Sequence, residues 1–357
     1  NFYSVTKYLG AQLPAFGVSS YTGSPITGLA PTVANPNLRI ETVEKSNIGI
    51  DLGFLKNRIK LTVDAYKNVT KDLFVQQSLP ATSGFYGTSL AVNAGTMSNK
   101  GLEFDLTIDV VKTNNFDFTL RGNHSINKNK IESLGSVTEY PNGTGIIKKG
   151  LPFGTHYSYS YLGADPATGK PIYKRPDGTP TTNINEAGQF HEFGTYIPVH
   201  QGGFSAYFRY KRFSVDALFS YQFDVRRYNN IQNWVTQGDA TYTGAVTQST
   251  VLLTDQWRKP GDIKMLQSPA YSRQFTSYDI SDAKFLRFRN LNVSYTIPEI
   301  KAFNTKIIKS ARLYVQGQNL AIWSPWSGLD PEDDNNISLA EFPNLVVLQT
   351  FSKAWGL

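Results

Sequence analysis

Residues Ser281–Leu320 read SDAKFLRFRNLNVSYTIPEIKAFNTKIIKSARLYVQGQNL, and this stretch decides the fold. From Leu291 to Ile297, Leu291, Val293, Tyr295 and Ile297 share one face while Asn292, Ser294 and Thr296 share the other. A period of two with one apolar side marks a β-strand. A second strand starts at Ala311, with Ala311, Leu313, Val315 and Gly317 on the apolar side and Arg312, Tyr314, Gln316 and Gln318 on the polar side. A short basic connection, Glu299–Lys309, joins the two. Upstream the phase breaks, because Leu286 and Phe288 fall on the face that Asn290 and Asn292 continue. This predicts a bulge or a change of environment near Arg289.

The same pattern recurs outward from this hairpin. Ile48, Ile50, Leu52 and Phe54 alternate with polar residues and glycine, a tight turn follows at Lys56–Asn57, and Ile59, Leu61, Val63 and Ala65 return. Leu102, Phe104, Leu106 and Ile108 precede a turn at Lys112–Asn115, after which Phe116, Phe118 and Leu120 return. In a third hairpin Phe204, Ala206, Phe208 and Tyr210 lead, with almost no loop, into Phe213, Val215, Ala217, Phe219, Tyr221 and Phe223. Asn1–Leu9 and Leu345–Leu357 read as further strands, giving about nine or ten in all.

The connections alternate in length. Short turns at 56–57, 112–115, 211–212 and 299–309 take turns with long stretches at 71–100, 127–202, 224–284 and 321–344. A soluble sandwich has no reason to place all its short turns at one end over four successive hairpins. An outer-membrane barrel does, with short periplasmic turns and long extracellular loops. The clear strands run ~9–12 residues, which suits a tilted membrane strand better than the ~5–6 typical of soluble sheets. Asp51, Asp64, Glu103, Asp105, Arg121, Arg209 and Asp216 on the polar faces suit a hydrated lumen, and the apolar faces are expected to touch lipid. Phe54, Phe116, Phe213, Phe223 and Trp355 near strand ends fit interfacial girdles, although aromatics favour any strand.

Composition agrees with an all-β chain. Of 357 residues, 20 are Tyr and 22 Phe, with 29 Gly and 18 Pro to supply turns. With no Cys, disulfides and thiolate metal sites are excluded. No run approaches the ~18 apolar residues of a membrane helix, which says nothing against strands that cross. The net charge of +7 is scattered along the chain, so no nucleic-acid partner is expected.

Several stretches resemble the SusC/RagA family of TonB-linked outer-membrane transporters. They are TDQWRKPGD (Thr254–Asp262), SDAKFLRFRNLNVSYTIP (Ser281–Pro298), RLYVQGQNLAIW (Arg312–Trp323) and GLDPE (Gly328–Glu332). NPNLRIETVEKSNIGIDLGFLKNRIKLTVDAYKNVTKDLF (Asn35–Phe74), NAGTMSNKGLEFDL (Asn93–Leu106) and GADPATGKPIYKRPDG (Gly163–Gly178) fit the same family, in the family's order. The resemblance implies a transmembrane antiparallel β-barrel of about 22 strands around an N-terminal plug. Residues 1–357 would supply about the last ten strands, and the plug, TonB box and early strands would lie outside the chain, as would a short C-terminal tail. It further implies a Gram-negative outer membrane, a SusD-like surface lipoprotein as partner, TonB as the energy source, and import of oligosaccharides or peptides. The alternative is a scaffold subunit held by other outer-membrane complex subunits in an assembly or secretion machine.

Candidate binding residues come from the long connections. Trp234, Tyr242, Trp323 and Trp326 could stack on sugars or a partner, against the plainer reading that large loops build small cores of their own. Arg226 and Arg227 could meet a ligand or partner, or simply face water. Asp330, Glu332, Asp333 and Asp334 form a weak Ca²⁺ candidate, the only cofactor suggested, against a solvated acidic loop. His124, His156, His191 and His200 lie far apart in sequence without metal-ligand spacing and read as loop or lumen residues. No Ser/His/Asp or paired-carboxylate spacing suggests an enzyme.

Overall fold

The computed structural model describes residues 16–20, 25–29, 35–78, 89–237, 249–298, 300–302, 305–308 and 311–332. Among them eight strands form one antiparallel sheet in sequence order. They are β1 (Thr42–Phe54), β2 (Ile59–Ser78), β3 (Ser89–Lys112), β4 (Phe116–Ser133), β5 (His200–Tyr210), β6 (Phe213–Phe223), β7 (Phe285–Ile297) and β8 (Ala311–Trp323). The strands expected at Asn1–Leu9 and Leu345–Leu357 lie outside the described residues.

All four expected hairpins form. Leu55, Lys56 and Asn57 carry φ of 53°, 57° and 63°, and Lys211 opens the two-residue loop before β6 at φ 53°. Left-handed residues at such loops match the twist of the strands they join. Arg58 ties the first turn to the next strand, donating from Nε to the Asp109 carbonyl at 3.1 Å. The 299–309 connection is itself a small ribbon, with Ile300–Ala302 paired to Thr305–Ile308.

Two of the stretches read as long connections are partly strand. β2 and β3 stay paired from Lys71↔Thr96 up to Ser78↔Ser89, and β4 continues to Ser133. The alternation that reveals a strand requires unlike environments on its two faces, and it stops where the apolar face stops. Beyond that level the ladder continues without a period-two signature. A core forms where these extensions (Val75, Ile131) meet Leu134 and the short strand Gly145–Lys148 (Ile147), with Val92, Met97 and Phe153 packed against it.

The phase break at Arg289 is a bulge. Leu218 pairs with Asn290 and Phe219 with Phe288, so Arg289 has no partner position on β6, and the β8 register shifts at the same place. Arg289 joins Asn290 on the polar face, where its Nε donates to Ser220 Oγ at 2.7 Å. Phe288 and Leu286 return to the apolar face as a result. There Phe288 stacks on Phe219 at 4.5 Å between centroids, and Phe219 stacks on Phe204 at 4.9 Å.

The apolar face is open. Ile48, Ile50, Leu102, Leu106, Leu120, Phe204, Phe213, Tyr295, Leu313 and Val315 are all exposed. The polar face is tied by cross-strand bonds: Thr62 Oγ1 donates to Asp51 at 2.6 Å, Arg209 Nε to Asp117 at 2.8 Å and Gln316 Nε2 to Asn290 at 2.9 Å. Such pairs stabilise a sheet by a few tenths of a kcal/mol each, up to about 1.

The chain divides into two compact units. One holds the sheet (Asn1–Ser158, Phe190–Arg226, Asp282–Pro325) and the other is built from connections (Tyr159–Gln189, Arg227–Ser281, Trp326–Leu357). Inserting an alanine between Phe288 and Arg289, with the bulge kept, should turn Leu286 and Phe288 onto the polar face and abolish the folded form, read as loss of heat-modifiable migration on gels. Arg289→Ser, which keeps the extra residue, should retain that migration.

Candidate functional site

Within the sheet unit the polar face forms a concavity of about 570 Å³. Its floor follows from the register. Asn47, Tyr66, Gly101 and Asn127 are successive partners across β1 to β4, with Lys45, Asn68 and Asn99 on one side and Glu103, Ser125 and Gln201 on the other. Ile197 and Pro198 close one wall. Tyr66 donates its hydroxyl to Asn127 Oδ1 at 3.0 Å. Its ring lies over Gly101, where an added Cβ would come within 2.4 Å of the ring and hydroxyl. Glycine is needed there for that close approach, and a larger residue would cost about 1–3 kcal/mol of overpacking.

Chemically the concavity offers amides in quantity, one cation (Lys45), one carboxylate (Glu103) and one flat ring. Amide donors and acceptors suit a neutral polar solute rich in hydroxyl or peptide groups. Sequence reading identified Glu103 of this wall and missed Lys45 and most of its asparagines, because an Asn on a polar strand face looks like any solvated residue.

The second unit holds most of the candidates taken from the connections. Trp234 lies on α1 (Asn230–Val235), a one-and-a-half-turn helix whose N-cap Asn229 accepts the Gln232 N–H at 2.9 Å. The Trp234 ring is 44% exposed and meets Phe275, itself 42% exposed, edge to face at 6.3 Å. Phe275 in turn packs on Tyr228 at 5.4 Å. The pair Trp234 and Phe275 therefore offers an aromatic surface on a fixed support, and Phe275 carried no signal in the sequence.

The support is a buried ion pair. Arg273 and Asp279, 7% and 0% exposed, bond at 2.5 Å. Asp279 also accepts the Thr276 N–H at 3.1 Å and Asn233 Nδ2 at 3.2 Å. Arg273 donates to the Asn233 carbonyl at 3.3 Å and lies 5.0 Å over the Tyr278 ring. Because Asn233 sits on α1, this network fixes the helix that presents Trp234. Burial raises the Tyr161 and Tyr228 hydroxyls far above their usual range, so both stay neutral. Tyr161 donates to the Met265 carbonyl at 2.6 Å.

The remaining candidates separate. Trp323 is the last residue of β8 rather than part of a connection, paired with Leu286 on the apolar face and 55% exposed. Trp326 is buried at 8%, its indole packed where a Cβ on Gly328 would come within 2.4 Å. It serves a local core, as the plainer reading held. Arg226 is exposed while Arg227 is buried at 9%, so the two adjacent residues do not form one basic site. Tyr242, Asp333 and Asp334 lie outside the described residues. Asp330 accepts the Glu332 N–H at 2.9 Å within its own turn, and the described residues hold no group of three acidic or histidine side chains arranged for a metal.

The histidines require a correction. The pairing of β4 with β5 brings His124 and His200 together on the apolar face, away from both loop and lumen. Their rings stack at 5.4 Å, His124 Nδ1 lies 2.8 Å from the Tyr221 hydroxyl, and His200 Nε2 lies 3.5 Å from Asp224. Only the strand register, which a linear spacing does not give, could have joined residues 76 positions apart.

Asp279→Ala leaves Arg273 buried without its counter-charge, an expected loss of about 3–5 kcal/mol. Limited proteolysis should then cut within 227–281, while the sheet unit keeps its resistance.

Comparison with known proteins agrees with this architecture. A curated relative, TonB-dependent receptor P3 of Formosa agariphila, is 28% identical over 338 residues, covering 85% of this chain and 32% of the relative. The TonB-dependent receptor SusC of Bacteroides thetaiotaomicron is 25% identical, covering 93% of this chain and 33% of SusC. The chain thus spans about a third of the length of these curated relatives. The solved structure of the RagAB peptide transporter superposes with a TM-score of 0.75 at 26% identity, covering 92% of this chain and 37% of that one. The family model described as "TonB dependent receptor-like, beta-barrel" matches residues 4–320, and the chain belongs to that family.

Proposed function

We propose that this chain is the C-terminal barrel portion of a Gram-negative outer-membrane importer that takes up an oligosaccharide or peptide. It works with a SusD-like surface lipoprotein and draws energy from TonB through a plug in the N-terminal part of the full protein. The observation that carries this reading is one sheet with two unlike faces: an open apolar face, and a polar face whose concavity is lined by Asn47, Asn68, Asn99, Asn127 and Gln201. A lipid-facing exterior and a hydrated interior account for both. The likeness to the RagAB peptide transporter supports the peptide class, and the likeness to SusC supports a TonB-dependent receptor.

The amide-rich wall fits both ligand classes, since sugars and peptides alike exchange hydrogen bonds with Asn and Gln. Trp234 and Phe275 add a stacking surface suited to a pyranose ring or a peptide side chain. In this reading the acidic turn at Asp330 and Glu332 needs no bound Ca²⁺.

The test is isolation of the full-length protein from its native outer membrane in mild detergent, followed by identification of what accompanies it. A single SusD-like lipoprotein, with ligand captured from a panel of oligosaccharides and peptides, is the expected outcome. Co-isolation with several assembly or secretion subunits and no ligand would replace import by the scaffold reading. Trp234→Ala should weaken capture about tenfold, as expected for removal of an aromatic anchor. Trp323→Ala, on the apolar face, should leave it unchanged.

A further inference from the structure

The strand register can be followed rung by rung across the apolar face. One rung runs Ile48, Ala65, Leu102, Ile126, His200 and Phe223 on β1 to β6. The next rung away from the turns runs Ser46, Lys67, Lys100 and Lys128 on β1 to β4. Three lysines therefore stand directly opposite one another on three adjacent strands, immediately beyond the edge of the apolar belt. All three are exposed.

Like charges directly opposite in a sheet destabilise it. None of the three forms an ion pair among the described residues, although Glu132 is near enough to act on Lys100 through its charge while bonding elsewhere. Glu44 pairs with Lys71 at 2.5 Å, and Glu132 accepts Ser98 Oγ at 2.6 Å and pairs with Lys130 at 3.1 Å. The belt edge continues on the later strands through His200, Tyr221 and Trp323, where amphipathic rings mark the level of lipid headgroups. The lysine row stands one rung past that edge, on the side of the long connections, and keeps an excess of positive charge.

We propose that Lys67, Lys100 and Lys128 bind the phosphate groups of a glycolipid in the outer leaflet. The inference rests on reading the chain as an outer-membrane barrel. The row offers about 10 Å of cationic surface, since neighbouring strands lie about 4.7–4.9 Å apart. It sits where acyl chains packed on Ile48, Leu102 and Ile126 would deliver a headgroup. Lipid phosphate relieves the repulsion within the row while the apolar belt holds the chains.

The experiment uses the full-length receptor in neutral detergent, incubated with phosphorylated lipid A or with the same lipid after phosphatase treatment, and counts bound lipid by native mass spectrometry. The Lys67→Gln/Lys100→Gln/Lys128→Gln variant should retain less than a fifth of the phosphorylated lipid held by the parent. The two should not differ on dephosphorylated lipid. Lys100→Gln alone, at the centre of the row, should lose at least twofold, whereas Lys60→Gln, the same charge change on the polar face, should lose nothing. Equal retention by the parent and by Lys100→Gln overturns the proposal, as does full displacement of the lipid by millimolar inorganic phosphate or loss of a protein partner from the triple variant in place of lipid. Heat-modifiable, detergent-dependent behaviour of every form keeps the barrel reading separate: its absence in the parent would remove the barrel, and equal lipid retention in its presence would remove only the lysine row.

Discussion

A backbone crossing hydrocarbon finds no water for its N–H and C=O groups, so each must be met by a neighbouring strand. That constraint explains the continuous ladder from β1 to β8 and the strict order of its strands. It also explains why an irregularity such as the Arg289 bulge takes the smallest form available, one extra residue whose guanidinium turns to the polar face and bonds Ser220. Alternation of side chains follows from the extended backbone, and the two faces acquire opposite chemistry without any further device. A stack of three phenylalanines on one side and a row of asparagines on the other are two results of the same ladder.

The hairpins were legible because a strand between unlike surroundings writes a period of two. The Arg289 bulge was legible for the same reason, as a slip of phase between Phe288 and Asn290. Legibility ended past the apolar belt, where the extensions bury residues such as Val75 without a period of two. Lys71 to Ser78 pairs with Ser89 to Thr96 with no alternation to announce it, so these residues read as a loop. The connections were harder still. Trp234 and Trp326 look alike in sequence, yet one stands on a helix held by Arg273 and Asp279 while the other is buried over Gly328. Residues such as Phe275 and the His124–His200 pair depend on contacts between segments far apart in the chain, which composition and spacing cannot encode.

In the proposed function each unit has a recognition chemistry of its own. The sheet supplies a fixed wall on which amide groups are spaced by strand geometry, about 4.7–4.9 Å across strands. The connections supply aromatic surface fixed by a buried charged network, which is costly to assemble and correspondingly specific about the position of its helix.

The buried aliphatic core joins Val75 and Ile131 on the strand extensions to Leu134 just beyond them and to Ile147 on the short strand Gly145–Lys148, past the apolar belt, where the surrounding medium is water. Unfolding it exposes hydrocarbon to solvent and raises the heat capacity, whereas separating belt residues from a bilayer only exchanges one apolar contact for another. The extensions should therefore carry the curvature of the molecule's stability with temperature. On cooling, this part weakens first, while the belt beneath it is left almost indifferent.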